Sequence, residues 1–210
     1  AAFRIPDLIF ISIASLASIT VIIPFIVAKM DGDKVTDKAR KYLNDIFTVF
    51  FSLMVLVGLV AFFLMPFLVN FIAPGFDSFY QEKVILLSRI MLLSPILMGL
   101  SNLFGTVTQL FRKFFIYSLS PIFYNLGIII GVIFLYPIFG ISGLAMGVVF
   151  GALMHFGIQA WAAHSCGFTP KFSFSVNFKD KEIIALTSLP RTLGLAFNNI
   201  ALISIIALAS

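Results

Sequence analysis

The chain has 210 residues, of which 60% are hydrophobic and only 11% charged, with a mean hydropathy of +1.10. Soluble domains carry about 25% charged residues, and a soluble core of this length could not hide so much apolar surface, which leaves lipid as the solvent. The net charge of +5 has no aromatic-basic repeats behind it, so nucleic acid is not an expected partner, and the single Cys166 excludes an internal disulfide or a multi-cysteine metal cluster.

A spanning helix needs about 20 apolar residues to cross a hydrocarbon core of about 30 Å. Six runs meet that length, roughly 8–28, 46–72, 84–111, 115–137, 142–165 and 183–210, the last with a start as late as Thr192. The first run follows Arg4, Ile5, Pro6 and Asp7, and no basic start followed by an apolar stretch marks a signal peptide there. A polar stretch of alternating charge, 31–45, separates the first two runs. Ala73-Pro74-Gly75-Phe76-Asp77 is a turn cluster before the third. Arg112 and Lys113 split the third from the fourth, and 137–142 is a tight uncharged turn before the fifth. The longer polar segment 166–181 alternates Lys171-Phe172-Ser173-Phe174-Ser175-Val176, a pattern compatible with extended backbone. Both chain ends read as cuts in a longer polypeptide, and residues 1–210 read as a single, partial membrane domain. The expected fold is all-α: a polytopic transmembrane helical bundle of about six spans.

Loop charge sets the expected orientation. Alternate loops place Lys29, Lys34, Lys38, Arg40, Lys41, Arg112, Lys113, Lys171, Lys179 and Lys181 on one side. The other side and the spans hold only Arg4, Lys83, Arg89 and Arg191. The basic side is expected to be cytoplasmic, with loops near 30–45, 112–113 and 166–181 facing in and the residue 1 end facing out.

Gly143, Gly147 and Gly151 share one face of the fifth run, and Gly127 with Gly131 one face of the fourth. Such stripes let helix backbones approach closely in lipid, either as static packing or as a face on which helices slide. Pro66, Pro95, Pro121 and Pro190 lie inside runs, where each removes a backbone donor and can bend the helix.

Ionisable residues within spans are costly and usually face an interior or a water-filled cavity. Arg191 lies about eight residues into the last run, roughly 12 Å along a helix. Being permanently charged, it needs a carboxylate, a phosphate or water, unless it snorkels at an interfacial boundary. Arg89 sits about two turns inside the third run, where snorkelling is again open to it. Arg4 and Asp7 flank the outer mouth of the first and can pair with each other. Asn102, Gln109, Asn125, Gln159, Asn198 and Asn199 are candidates for hydrogen bonds between helices. His155 and His164, nine residues apart, lack a metal-ligand pattern and read as structural. All nine acids lie in loops or near run ends, and no nucleotide loop or Ser-His-Asp arrangement stands out. Membrane enzymes of phospholipid-like substrates need acids or histidines to hold metals or move protons. Binding and movement are therefore expected rather than bond-making, with no catalytic residues and no cofactor.

Several stretches resemble the MurJ (MviN) family of lipid II flippases. Ala2-Phe3-Arg4-Ile5-Pro6-Asp7 resembles the start of that family's second helix, and Ala73-Pro74-Gly75-Phe76 its outer loop between helices three and four. Leu87-Ser88-Arg89-Ile90-Met91 with Ser94-Pro95 resembles the fourth helix. Phe114-Phe115-Ile116-Tyr117 with Pro121-Ile122-Phe123-Tyr124-Asn125-Leu126-Gly127 resembles the fifth. The sixth is matched by Gly140-Ile141-Ser142-Gly143-Leu144-Ala145-Met146-Gly147 with Gly151 and His155, and Leu189-Pro190-Arg191 is similar to the start of the seventh.

The resemblance implies helices two to seven, most of the N-terminal lobe, of an exporter of about fourteen helices. It implies alternating-access export of the lipid-linked peptidoglycan precursor across the bacterial inner membrane. Partners would be a lipid-linked pyrophosphate oligosaccharide, membrane lipids and a coupling ion if one drives the cycle. Arg191, Arg4 and Arg89 become the expected headgroup or gating contacts, with Asp7 in gating or pairing. The chain departs from the family where a basic pair and then Ala-Glu-Gly-Ala commonly stand: it has Phe10-Ile11 and Ala14-Ser15-Leu16-Ala17. Other cargo therefore stays open, namely a capsule or O-antigen precursor or an amphipathic drug, as do a membrane enzyme of lipid-linked sugar metabolism and an inactive scaffold.

Overall fold

The computed structural model describes residues 2–14, 19–31, 35–72 and 74–173. Arg191, Pro190, Asn198, Asn199 and the expected run 183–210 lie outside the described residues. Within them the chain is helical and contains no strand. The helices are α1 (Arg4–Ala14), α2 (Ile19–Val27), α3 (Asp37–Ile72), α4 (Ser78–Met91), α5 (Leu93–Leu110), α6 (Phe114–Ile130), α7 (Tyr136–Phe139) and α8 (Ile141–Ser165).

Four stretches among the described residues are long and apolar enough to cross a membrane: Asp37–Ile72, Ser78–Leu110, Phe114–Phe139 and Ile141–Ser165. Their outward faces explain why water is the wrong solvent. On α3, Leu43, Phe47, Phe50, Met54, Ala61, Met65, Val69 and Ile72 form a buried stripe at helical spacing. The opposite face, including Leu59, Phe63, Phe67 and Phe71, is exposed and equally apolar. A helix apolar all round is stable only when lipid covers its outer side. On α6, Ile122, Leu126 and Ile129 are likewise exposed.

The breaks differ in detail from those read in the sequence. The first run is represented by α1 and α2, with 15–18 outside the described residues. The polar stretch 31–45 is not all loop, because α3 already begins at Asp37 and carries its charged first turns beyond the apolar part. The third run lapses at Leu92, where Pro95 has no N–H to give the Met91 carbonyl, and restarts as α5. Pro137 does not end the fourth run. A π-helical turn, Gly131–Leu135, precedes it and the helix continues through Phe139. Wider i to i+5 bonding shifts the carbonyl ladder by one residue, which accommodates a proline lacking its donor. The connection to α8 is then Gly140 alone, at φ +58.

The core joins α3, α5 and α8, while α6 packs chiefly on α8. Basic loops gather at one end. Lys113 Nζ donates to Ser165 Oγ (2.9 Å), joining the α5–α6 turn to the end of α8. The strand-like reading of 171–176 is described only to Ser173. There the Lys171 N–H donates to Asn44 Oδ1 (2.9 Å) and the Ser173 N–H to Thr48 Oγ1 (2.9 Å), so the segment lies on the first turns of α3.

Candidate functional site

The most chemically distinctive opening lies between α1, α5, α6 and α8. Pro6, Asp7, Ser94, Met98, Tyr124 and Val148 are among the residues that line a cavity of about 130 Å³. α1 is held against α4 by the Ser88 hydroxyl, which donates to the Ala2 carbonyl (3.1 Å). That contact fixes the first turn of α1, so Asp7, one turn along from Arg4, faces the cavity. Tyr124, from α6, is near enough to feel the Asp7 carboxylate and Ser94 electrostatically. The chemistry on offer is one carboxylate, one phenol and one hydroxyl in otherwise apolar walls, suited to orienting a polar group. Sequence reading named Asp7 but missed Tyr124 and Ser94, because nothing in their own neighbourhoods signals that several helices converge there.

Arg4 and Asp7 act on each other through space without closing an ion pair within 4 Å. Phe10, standing where a basic residue is common in the resembled family, is part of the same apolar wall. Arg89 is elsewhere. Its Nε donates to the Phe62 carbonyl of α3 (3.2 Å), and its guanidinium carbon lies 4.7 Å from the centre of the Phe62 ring. The structure thus brings Asp7 into the cavity, leaves Arg4 one turn away at the start of α1, and commits Arg89 to α3.

A second polar region is fully buried between helices. Gln159 of α8 receives the Thr108 hydroxyl on Oε1 (2.9 Å). Its Nε2 donates to Ser120 Oγ (2.5 Å) and to the Tyr117 carbonyl (3.4 Å). One turn earlier, His155 Nδ1 shares a 2.6 Å hydrogen bond with Ser101 Oγ. The expected interhelical role of Gln159 is met. Asn125 instead donates within its own helix to the Pro121 carbonyl (2.8 Å), and Gln109 Nε2 is buried without a hydrogen-bond partner among the described residues. No group of three or more His, Cys, Asp or Glu residues able to hold a metal occurs among the described residues.

The two glycine stripes face each other. A methyl on Gly147 would lie 2.6 Å from the Gly131 Cα, and Gly127 opposes Gly151 at similarly close range. The backbones of α6 and α8 are therefore in direct contact, which only glycine permits.

Comparison with known proteins agrees with this architecture. The family model described as lipid II flippase MurJ matches residues 1–210. A probable lipid II flippase MurJ of Borreliella burgdorferi is 32% identical over 126 residues, 58% of this chain and 24% of that protein. One of the same description from Rhizobium tropici is 29% identical over 147 residues, 69% of this chain and 27% of that protein. The matched stretches span about a quarter of the length of each relative. A multi-pass bundle with lipid-facing helices, glycine-to-glycine packing and a family match along its whole length belongs to the MurJ lipid II flippase family.

Proposed function

We propose that the protein to which this chain belongs moves lipid II across the bacterial inner membrane by alternating access, with the described helices as part of its N-terminal lobe. The observation that carries this is the family match over residues 1–210. The bundle suits such a cycle, because backbone-packed α6 and α8 form a stiff unit while α1 closes a cavity carrying Asp7, Ser94 and Tyr124 at its edge. In this reading Arg191 and Arg4 meet the pyrophosphate headgroup, since a fixed cation gains most from a multiply charged, oxygen-rich anion. Arg89, held by α3, belongs to gating, and Asp7 tempers Arg4 until the headgroup arrives. The lobes would rock about the bound headgroup to expose it to either side.

Complementation of a flippase-depleted bacterium by the full-length protein tests the reading. Growth should be restored by the native sequence and lost with Arg191→Ala, with membrane expression unchanged. Unchanged flipping by the Arg191→Ala protein removes that residue from the site. Failure of the native protein to restore growth or to bind purified lipid II, despite correct insertion, overturns the cargo. Dependence of transport on an imposed ion gradient reads out whether a coupling ion drives the cycle.

A further inference from the structure

A proline at position i leaves the carbonyl of residue i−4 without its helical partner. In a membrane that carbonyl has to find another donor. Pro66 lies inside α3, and the carbonyl it frees is that of Phe62. The Phe62 carbonyl is the acceptor of Arg89 Nε at 3.2 Å, and the Phe62 ring lies under the same guanidinium. Pro121 in α6 frees the carbonyl of Tyr117, and that is the acceptor of Gln159 Nε2. Two proline breaks thus receive donors from neighbouring helices, but of different kinds.

The Gln159 amide is fully buried and bonded at both ends, so releasing Tyr117 would strand several groups at once. Arg89 is only half-buried, and its other guanidinium donors have no protein partner among the described residues. Among the described residues, letting go of Phe62 costs it one hydrogen bond and the contact with the Phe62 ring, and leaves the guanidinium to water or lipid headgroups. Arg89 stands 11 residues after Ser78, about 16 Å along α4–α5 from its outer end, deep enough that its placement needs a reason.

We propose that Arg89 is a releasable latch on a hinge in α3 at Pro66: a positioning residue that closes the break by donating to the Phe62 carbonyl, while the Pro121 break in α6 is permanently locked by Gln159. The outer end of α3 then swings about Pro66 as the latch opens, against a fixed α5–α6–α8 unit. This goes beyond the transport reading and does not depend on the cargo.

A double-mutant cycle in the full-length protein isolates the latch, because Pro66→Ala returns an N–H to the Phe62 carbonyl. Arg89→Met should lower the melting midpoint in detergent by roughly 2–4 °C. It should also broaden the distance distribution between spin labels at Asn70 and Ile141, both exposed near the outer end. In the Pro66→Ala background at least half of both effects should vanish. If Arg89→Met alone fails to fold, recovery of folded protein in the double variant is the supporting result. Effects that persist by more than half, an Arg89→Met protein indistinguishable from wild type, or no recovery in the double variant would each overturn the latch. Lipid II binding is measured on the same samples, so loss of cargo recognition and loss of the latch are read separately.

Discussion

At the scale of single residues, the strongest commitments are polar groups that have found every partner they need. Gln159 uses its carbonyl and both amide hydrogens on α5 and α6. In lipid no hydrophobic force draws helices together, so such bonds carry weight, at about 0.6 kcal/mol on average and up to roughly 1.7 each. Gln159→Leu removes three at once and leaves the Thr108 and Ser120 hydroxyls in an apolar gap. The expected cost is about 2 kcal/mol, seen as a lower midpoint in detergent unfolding of the full-length protein. Gln159→Glu, which keeps size but exchanges two amide donors for at most one carboxyl O–H, should also be destabilised. A Gln159→Leu protein as stable as wild type would show that the network is incidental. Sequence could nominate Gln159 because a lone amide in an apolar run is conspicuous. It could not nominate the role of Arg89: the rule that Pro66 frees the Phe62 carbonyl is local, but its donor lies 27 residues away on another helix.

At the scale of elements, the glycine spacing was the most legible feature, because close approach demands the absence of a side chain and leaves its mark in the sequence. Direct contact between Gly131 and Gly147 makes a sharp contrast with Gly157 on the same helix, around which an added methyl would meet nothing within 4 Å. Gly147→Ala has to push two backbones apart and should cost about 1–3 kcal/mol. Gly157→Ala only gains helix propensity, about 0.5–1 kcal/mol. Opposite shifts in melting midpoint are expected from two identical chemical changes ten residues apart. Equal shifts would mean that α6 and α8 are not in backbone contact. The π-turn before Pro137 was not legible, since hydrophobic period does not distinguish a turn placed at the proline from a ladder that slips past it. The early start of α3 was missed for a related reason: charge in 37–45 signals the edge of lipid, while helical hydrogen bonding continues into water.

At the scale of the whole molecule, hydropathy made the bundle readable, because it is set by the solvent rather than by particular contacts. The convergence of α1, α5, α6 and α8 around Asp7 and Tyr124 depends on packing, which no run length encodes. The orientation expected from loop charge can be tested on this fold. Lys113 and Ser165 meet at one end, and the turn around Asp77 and the Gly140 connection stand at the opposite ends of the same helices. Lys and Arg near span ends are retained on the cytoplasmic face, so Cys166, beside Ser165, should react with a membrane-impermeant maleimide only from inside. An Asp77→Cys probe in a background lacking other cysteines should react only from outside. Intact cells and inverted vesicles of the full-length protein give the two measurements. The reverse pattern would put the basic loops outside, invert the transport direction proposed for the family lobe and place the Asp7 cavity at the wrong face.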